Sequence, residues 1–367
     1  MLYQFDSRVV LILDAGGTNF VFSAMKGGHV VTESLTLPAF ADNLDKCLGS
    51  LEQGFRTVAQ RLEEPPVAIS FAFPGPADYP AGIISGDLPN FPAFAGMDGF
   101  PLKAYLEEIF QVPVFINNDG DLYAFGEAYF GFLPQVNARL KETGSNRQYK
   151  NLIGLTFGTG FGAGIVIDGK LLIGDNSCGA EVFPLRNREL PSCFVEETVS
   201  IRGLVRMYGE ESGTNDRDMT PEMICRIAEG TKDGNQRAAL RTFERFGYVV
   251  SDAIADLITL LDGLVVIGGG IVGASRFFLP TILNELNKTI NKVDGTPIAR
   301  IPQKVYDLES VGGFQSFAKN EGVELKLNNK SIWYDKNRKS GIGISAIGAS
   351  IAIMRGAYSY ALSELDK

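Results

Sequence analysis

The chain has 367 residues, a length that suits two ordinary domains or one large one. Its residues are 45% hydrophobic and 21% charged, as in globular proteins, and a net charge of -9 argues against a nucleic-acid partner, whose phosphates need clustered Lys and Arg. The apolar run near the N-terminus is too short to span a bilayer, contains Asp14 and lacks the features of a secretion signal. We therefore expect a cytoplasmic protein with no membrane partner.

The cysteines and the single histidine exclude several kinds of site. Cys47, Cys178, Cys193 and Cys225 form no C-x-x-C pair, and His29 lies in a Gly-Gly turn between two strand-like runs. A structural zinc site and a Ser-His or Cys-His nucleophile are therefore not expected. Carboxylates and glycine loops therefore remain as the candidate catalytic and binding groups.

The first half of the chain predicts strands followed by helices. Residues 8–35 read as strand, glycine turn, strand, glycine turn, strand, because β-branched and aromatic runs alternate with glycines. The elements predicted next are a helix near 42–63, a buried strand at 67–75, a helix near 101–110 and a strand at 112–119.

The second half of the chain repeats the pattern of strands and glycine turns seen at residues 8–35. Gly158 and Gly169 have the same spacing as Gly16 and Gly27, so the first loop and the second turn recur in register. Two related α/β lobes are predicted. The elements predicted after the repeat are helices near 195–209, 220–230 and 234–261, a strand at 264–270, and a polar insertion with loops at about 292–340.

Three glycine motifs resemble nucleotide-binding loops. The spacing of Gly268, Gly270 and Gly273 is that of a dinucleotide-binding turn, but no acidic residue follows at the end of a next strand about 20 positions on. A strand follows residues 158–163 where such a turn requires a helix, and residues 164–170 lack the Ser or Thr that ends a P-loop. A dehydrogenase remains an alternative on the first motif alone.

Two further glycine loops are interpreted together. Asp14 ends a predicted buried strand and is followed by Gly16, Gly17 and Thr18, whose backbone N–H groups and hydroxyl suit an anion while the carboxylate suits a hydrated cation. The matching loop around Thr159 suggests a second binding loop for the same polyphosphate. Either loop alone is equally well read as an ordinary β-turn.

Taken together and in their order along the chain, the motifs of this sequence resemble those of the ROK family of sugar kinases, which belongs to the actin and hexokinase-like ATPases. The resemblance covers nearly the whole chain and rests on DAGGTN, FPGPAD, LPNFP, VPVFINNDGDLYAFGEAYFG, LTFGTGFGAGIVIDGKL and VVIGGGIVG. It implies a two-lobed actin/hexokinase-like, ribonuclease H-like α/β fold with a duplicated β-meander plus helices. The implied lobes are 1–118, onto which a C-terminal helix at about 342–367 packs, and 119–341 with the insertion.

The resemblance also implies roles for individual residues. Asp119 would be the general base of an ATP-dependent hexose kinase acting at the 6-hydroxyl, the alternative being an Asp that caps the following helix. Asp14 would hold Mg²⁺ through water. The implied sugar-binding residues are Asn90, Asn118, Asp119, Glu181 and Glu196, with Glu197 close to the last. The implied ATP-binding residues are Asp14, Gly16, Gly17, Thr18, Asn19, Gly158, Thr159, Gly160, Gly268, Gly269 and Gly270.

One position departs from the family pattern. Pro184 stands where many relatives have a histidine that serves both zinc and sugar, so we expect no zinc and an altered sugar pocket. A catalytically silent sugar-binding protein and a regulator related to N-acetylhexosamine kinases remain alternatives. By the same resemblance we expect a homodimer that binds a small-molecule sugar and ATP.

Overall fold

The computed structural model describes residues 3–86, 88, 90–328 and 330–367. The strands are β1 (Val9–Ala15), β2 (Asn19–Lys26), β3 (His29–Val30), β4 (Leu35–Pro38), β5 (Ala68–Ala72), β6 (Ala77–Asp78), β7 (Ile83–Ile84), β8 (Val114–Asn117), β9 (Leu152–Phe157), β10 (Phe161–Ile167), β11 (Lys170–Leu171), β12 (Leu264–Gly268), β13 (Thr289–Asn291), β14 (Pro297–Ala299), β15 (Lys304–Asp307), β16 (Val323–Leu327), β17 (Lys330–Tyr334) and β18 (Lys339–Ile344). The helices are α1 (Leu44–Ala59), α2 (Leu102–Phe110), α3 (Asp119–Tyr129), α4 (Phe132–Glu142), α5 (Ile201–Ser212), α6 (Pro221–Ala228), α7 (Gln236–Leu261), α8 (Ser275–Asn287), α9 (Val311–Ala318) and α10 (Ala349–Leu365).

The chain divides into two compact units. The first contains residues 1–134, 164–180 and 347–367, and the second contains 135–163 and 181–346. The first unit extends beyond the boundary expected at residue 118 because α3 packs along α10. The C-terminal helix begins at Ala349, not near 342, because the preceding residues form β18.

The sheet of the first unit has the order β3-β2-β1-β5-β8, with β4 also paired to β2. The strands β1, β5 and β8 run parallel, whereas β2 is antiparallel to β1. The apolar run of β1 suits a strand covered on both faces. Residues Val9, Leu11 and Leu13 belong to a phenylalanine-rich core with α1 and α2, and α10 packs along β1, β5 and β8.

The sheet of the second unit contains β9, β12, β18 and β15 in that order, all parallel to their neighbours. The first residues of β10 lie beside β9 in the same sheet. The helices α5, α7 and α8 pack together in this unit. Because parallel strands end at a common edge, the loops that follow β9 and β12 lie side by side.

The helices and buried strands predicted from periodicity are present, but the segment at 292–340, predicted as a polar insertion with loops, contains more regular structure than expected. It contains β15 and α9, and β15 extends the parallel sheet beside β18. Val305 is the one fully buried residue of β15, so the strand carries almost no apolar pattern. In the described part of the chain, no helix combines the length and the hydropathy that a membrane span requires.

Candidate active site

Two carboxylates lie at one edge of the sheet in the first unit. Asp14 is near the end of β1, and Asp119 begins α3 directly after β8. The register aligns Asp14 with Ala72 of β5, and Ala72 with Asn117 of β8. Neighbouring strands are about 4.8 Å apart, so this row places Asn117 only about 10 Å across the sheet from Asp14.

Both carboxyl groups are less acidic than usual. Desolvation raises the pKa of Asp14. Desolvation is also the main cause that raises the pKa of Asp119; the backbone N–H of Gly120 opposes the rise, and the negative charge of Asp14 adds to it. Both side chains retain solvent-accessible surface. A cation or a donated proton at this edge would therefore relieve unfavourable charge.

Asn118 is the residue that caps α3. Its Oδ1 accepts the N–H of Gly120 at 2.7 Å, and Oδ1 of Asp119 accepts the same N–H at 2.8 Å. Asn118 has the extended backbone and the capping bond of an N-cap. The alternative in which Asp119 caps this helix is therefore wrong. The second oxygen of Asp119 is not used by that bond.

The loop after β1 forms a tight turn beside Asn90. The N–H of Gly16 donates to the carbonyl of Asn19 at 3.1 Å, and a Cβ on Gly17 would lie 3.4 Å from the carbonyl oxygen of Asn90. Thr18 and Asn19 are exposed. The structure thus brings the predicted phosphate loop together with one predicted sugar-binding residue; Pro89, in the same predicted sugar-side loop, lies outside the described residues.

Glu196 lies against the second glycine loop. Its Oε2 accepts the backbone N–H of Phe161 at 2.9 Å, and a Cβ on Gly160 would come within 2.6 Å of the same oxygen. The N–H of Gly158 donates to the carbonyl of Gly160, while the carbonyl of Gly158 accepts the N–H of Ile201 at the start of α5. Thr159, between these glycines, is exposed.

Arg202 was not singled out from the sequence. It lies in the first turn of α5 and forms ion pairs with Glu196 at 2.9 Å and Glu197 at 3.0 Å. The charge of Glu196 is therefore balanced beside the glycine loop. An arginine six residues after Glu196 was the available signal, but only the fold of the 3-10 turn Val195–Glu197 brings the two side chains together.

The loop after β12 adjoins the loop after β9. Gly268 is aligned with Thr156 in the parallel pair, and the N–H of Ile271 donates to the carbonyl of Phe157 at 3.1 Å. Gly269 has φ +96, and a Cβ there would overlap the carbonyl oxygen of Phe157. Glycine is thus required at 269, whereas a Cβ on Gly270 would meet no atom within 4 Å.

The remaining predicted sugar ligand is Glu181, which is exposed in irregular chain of the second unit. Pro184 is exposed in the turn that follows. Cys178 and Cys193 carry free thiols. Within the part of the chain that the structure describes, no group of three or more His, Cys, Asp or Glu side chains could hold a metal ion.

We expect the purified protein to contain no stoichiometric zinc, because Pro184 cannot ligate a metal and the cysteines do not form a cluster. Elemental analysis by inductively coupled plasma mass spectrometry checks this expectation. One equivalent of zinc per chain that survives dialysis against a chelator would contradict it.

The chain is similar to a known protein family and to several known proteins. The model of the ROK family matches residues 10–321. The crystal structure of glucokinase from Parabacteroides distasonis is 52% identical, with a TM-score of 0.91 and 99% of each chain covered. Glucokinase of Thermotoga maritima is 25% identical over 285 residues, covering 72% of this chain and 82% of that protein. N-acetyl-D-glucosamine kinase of Vibrio parahaemolyticus is 28% identical over 303 residues, covering 76% of this chain and 88% of that protein.

Proposed function

The chain belongs to the ROK family, and from this premise we propose that it transfers the γ-phosphoryl group of ATP to the 6-hydroxyl of a hexose or hexose derivative. The observation that carries the proposal is the pair of carboxylates, Asp14 and Asp119, at the carboxyl edge of β1 and β8. The extensive similarity to a glucokinase supports the choice of a sugar as acceptor.

Asp119 is the proposed general base. One of its oxygens is bound to the N–H of Gly120, which fixes the carboxylate at the start of α3 while the other oxygen is available for the hydroxyl proton. Phosphoryl transfer has a loose transition state, so the proton can leave late. A raised pKa makes the carboxylate a better proton acceptor, provided that the pH keeps it ionised.

Asp14 is the proposed site for Mg²⁺, through bound water. The residues fit this ion, because a hard divalent cation prefers oxygen ligands and the pKa of Asp14 is already raised by desolvation. When bound there, Mg²⁺ would neutralise part of the negative charge of the phosphate groups. The residues proposed to hold the nucleotide are Gly16, Gly17, Thr18, Asn19, Gly158, Thr159, Gly160, Gly268, Gly269 and Gly270.

The sugar is proposed to bind beside Asp119. Asn90 and Asn118 are the proposed amide ligands, and Glu181 and Glu196 are the proposed carboxylate ligands. Because Pro184 replaces a histidine of the family pattern, the acceptor is left as a hexose or a hexose derivative. The similarity to an N-acetyl-D-glucosamine kinase favours a second candidate, an N-acetylhexosamine kinase. The proposal includes a cytoplasmic location, a homodimer, and no nucleic-acid or membrane partner.

A substrate panel tests the function. With MgATP present, we expect ADP release with at least one member of a set of hexoses and N-acetylhexosamines, and a sugar 6-phosphate in the product. ADP release is followed by a coupled assay, and the product by mass spectrometry. Sugar binding without ADP release would support a catalytically silent protein, and NADH formation without ADP would support a dehydrogenase; either result contradicts the proposal.

A further inference from the structure

The hairpin formed by β16 and β17 stands apart from both main sheets. It forms a separate two-stranded sheet, and every described residue of the two strands is exposed. Leu325 is 49% exposed, Leu327 is 72% exposed and Ile332 is 59% exposed. An isolated two-stranded hairpin is only marginally stable in water, so a partner that covers its apolar side chains would stabilise it.

The base of the hairpin is held firmly by polar contacts within the second unit. Arg147 forms an ion pair with Asp335 at 2.7 Å, and the side-chain amide of Asn337 donates to Glu321 at 3.1 Å. The buried Nζ of Lys339 donates to the carbonyl of Lys319 at 2.8 Å. The fold thus fixes where the hairpin leaves the body of the unit and leaves its strands uncovered.

The pairing of the two strands sorts their side chains onto two faces. Val323 is opposite Tyr334, and Leu325 is opposite Ile332. Side chains alternate along a strand, so these four residues share one face. Glu324 and Lys326 lie on the other face and form an ion pair at 3.6 Å. The first face is therefore mainly apolar, with Lys330 opposite Leu327 at its end. The other face carries one charge of each sign on β16, with Trp333 opposite Glu324.

The outer edge of β16 is complementary to itself. If two copies of β16 run antiparallel about a twofold axis at Leu325, Glu324 of each copy lies opposite Lys326 of the other. Val323 then lies opposite Leu327, and Leu325 opposite its own counterpart. Opposite charges and apolar pairs at facing positions both stabilise a sheet.

The edge of β17 lacks this property. About a twofold axis at Ile332, Lys330 would lie opposite Tyr334, and Ser331 opposite Trp333, with no pair of opposite charges. Pairing β16 with β17 of another copy would leave one free edge at each end and would continue into a filament. Pairing β16 with β16 closes after two copies.

We propose that β16 is the contact strand between two copies of this chain, which join their hairpins into one four-stranded antiparallel sheet. An exposed strand edge presents free backbone N–H and C=O groups that another strand can pair with. The two copies supply these groups to each other, while the ion pairs between Glu324 and Lys326 fix the register. The inference does not depend on the kinase activity.

Charge reversal tests the register of this contact. We expect the parent chain to be a dimer in sedimentation equilibrium, and Glu324→Lys to raise the dissociation constant about tenfold or more, because two attractive pairs become repulsive. Lys326→Glu should have the same effect. The double variant Glu324→Lys/Lys326→Glu restores opposite charges at both positions and should return the dissociation constant to near the parent value.

The matched control is Lys330→Glu, which changes a charge on β17 of the same hairpin and should leave the dimer intact. Leu325→Cys should give a disulfide-linked dimer on oxidation, because the two copies of this position face each other, whereas Ser331→Cys and the parent chain should not. A monomeric parent, a dimer that is insensitive to Glu324→Lys, or a double variant as weak as the singles would overturn the proposal.

Discussion

Replacement of Asp119 by Asn is expected to lower turnover by about 10²- to 10⁴-fold, the usual contribution of a general base. Asn keeps the shape of the side chain and an Oδ1 that can accept the N–H of Gly120, but it cannot take up the hydroxyl proton. The loss should appear in kcat, with a smaller change in KM for sugar and ATP, since ground-state contacts are largely retained. Initial rates of ADP release measure both constants.

The folded state of this variant should be at least as stable as that of the parent. Folding raises the pKa of Asp119, so the folded chain binds this proton more tightly than the unfolded chain does. Stability from this group is present at low pH and is lost as the pH rises through the raised pKa. Because Asn does not ionise, it avoids that loss at neutral pH. Urea unfolding checks this point.

The matched control for Asp119 is Asp45→Asn, the same chemical change in the first turn of α1, an element outside the candidate site. We expect parental turnover from this control. Parental turnover from the Asp119 variant would show that another group accepts the proton, and would remove the main chemical argument for the proposed site.

The sequence predicted the parts of the fold that carry a strong local pattern. The helix predicted at 234–261 was found at Gln236–Leu261, and the buried strand before Gly268 was found as β12. The family indicated by the glycine loops is confirmed by the match over residues 10–321. In these segments the apolar period and the glycine turns agree with the tertiary structure.

The segment at 292–340 was not predictable in the same way. In β16 and β17 both faces are exposed, so the alternation of apolar and charged residues along β16 does not mark a side that faces a core. Likewise, the contacts that join Glu196 to Phe161 and Arg202 depend on how a 3-10 turn meets a distant loop. Such contacts leave no periodic signal, whereas Asn118 and Asp119 are adjacent in the chain and were found as one motif.

Replacement of Gly356 by Ala is expected to lower the free energy of unfolding by about 3 kcal/mol, the upper end of the usual cost of overpacking. A Cβ at this position would overlap the carbonyl oxygen of Leu122, and one at Gly126 would overlap the carbonyl of Ala352. The helices α3 and α10 therefore pack backbone against backbone, and a methyl group forces them apart. Urea unfolding of variant and parent measures the change.

Gly49→Ala is the matched control, because Gly49 is exposed within α1 and a Cβ there would meet no atom within 4 Å. Ala at an open helical site should leave stability unchanged or raise it by up to about 1 kcal/mol. Since α3 begins with Asp119, a displaced α3 should also move the proposed base, and turnover of the Gly356 variant should fall even under conditions where it remains folded. Parental stability in that variant would mean that the two helices are not in backbone contact.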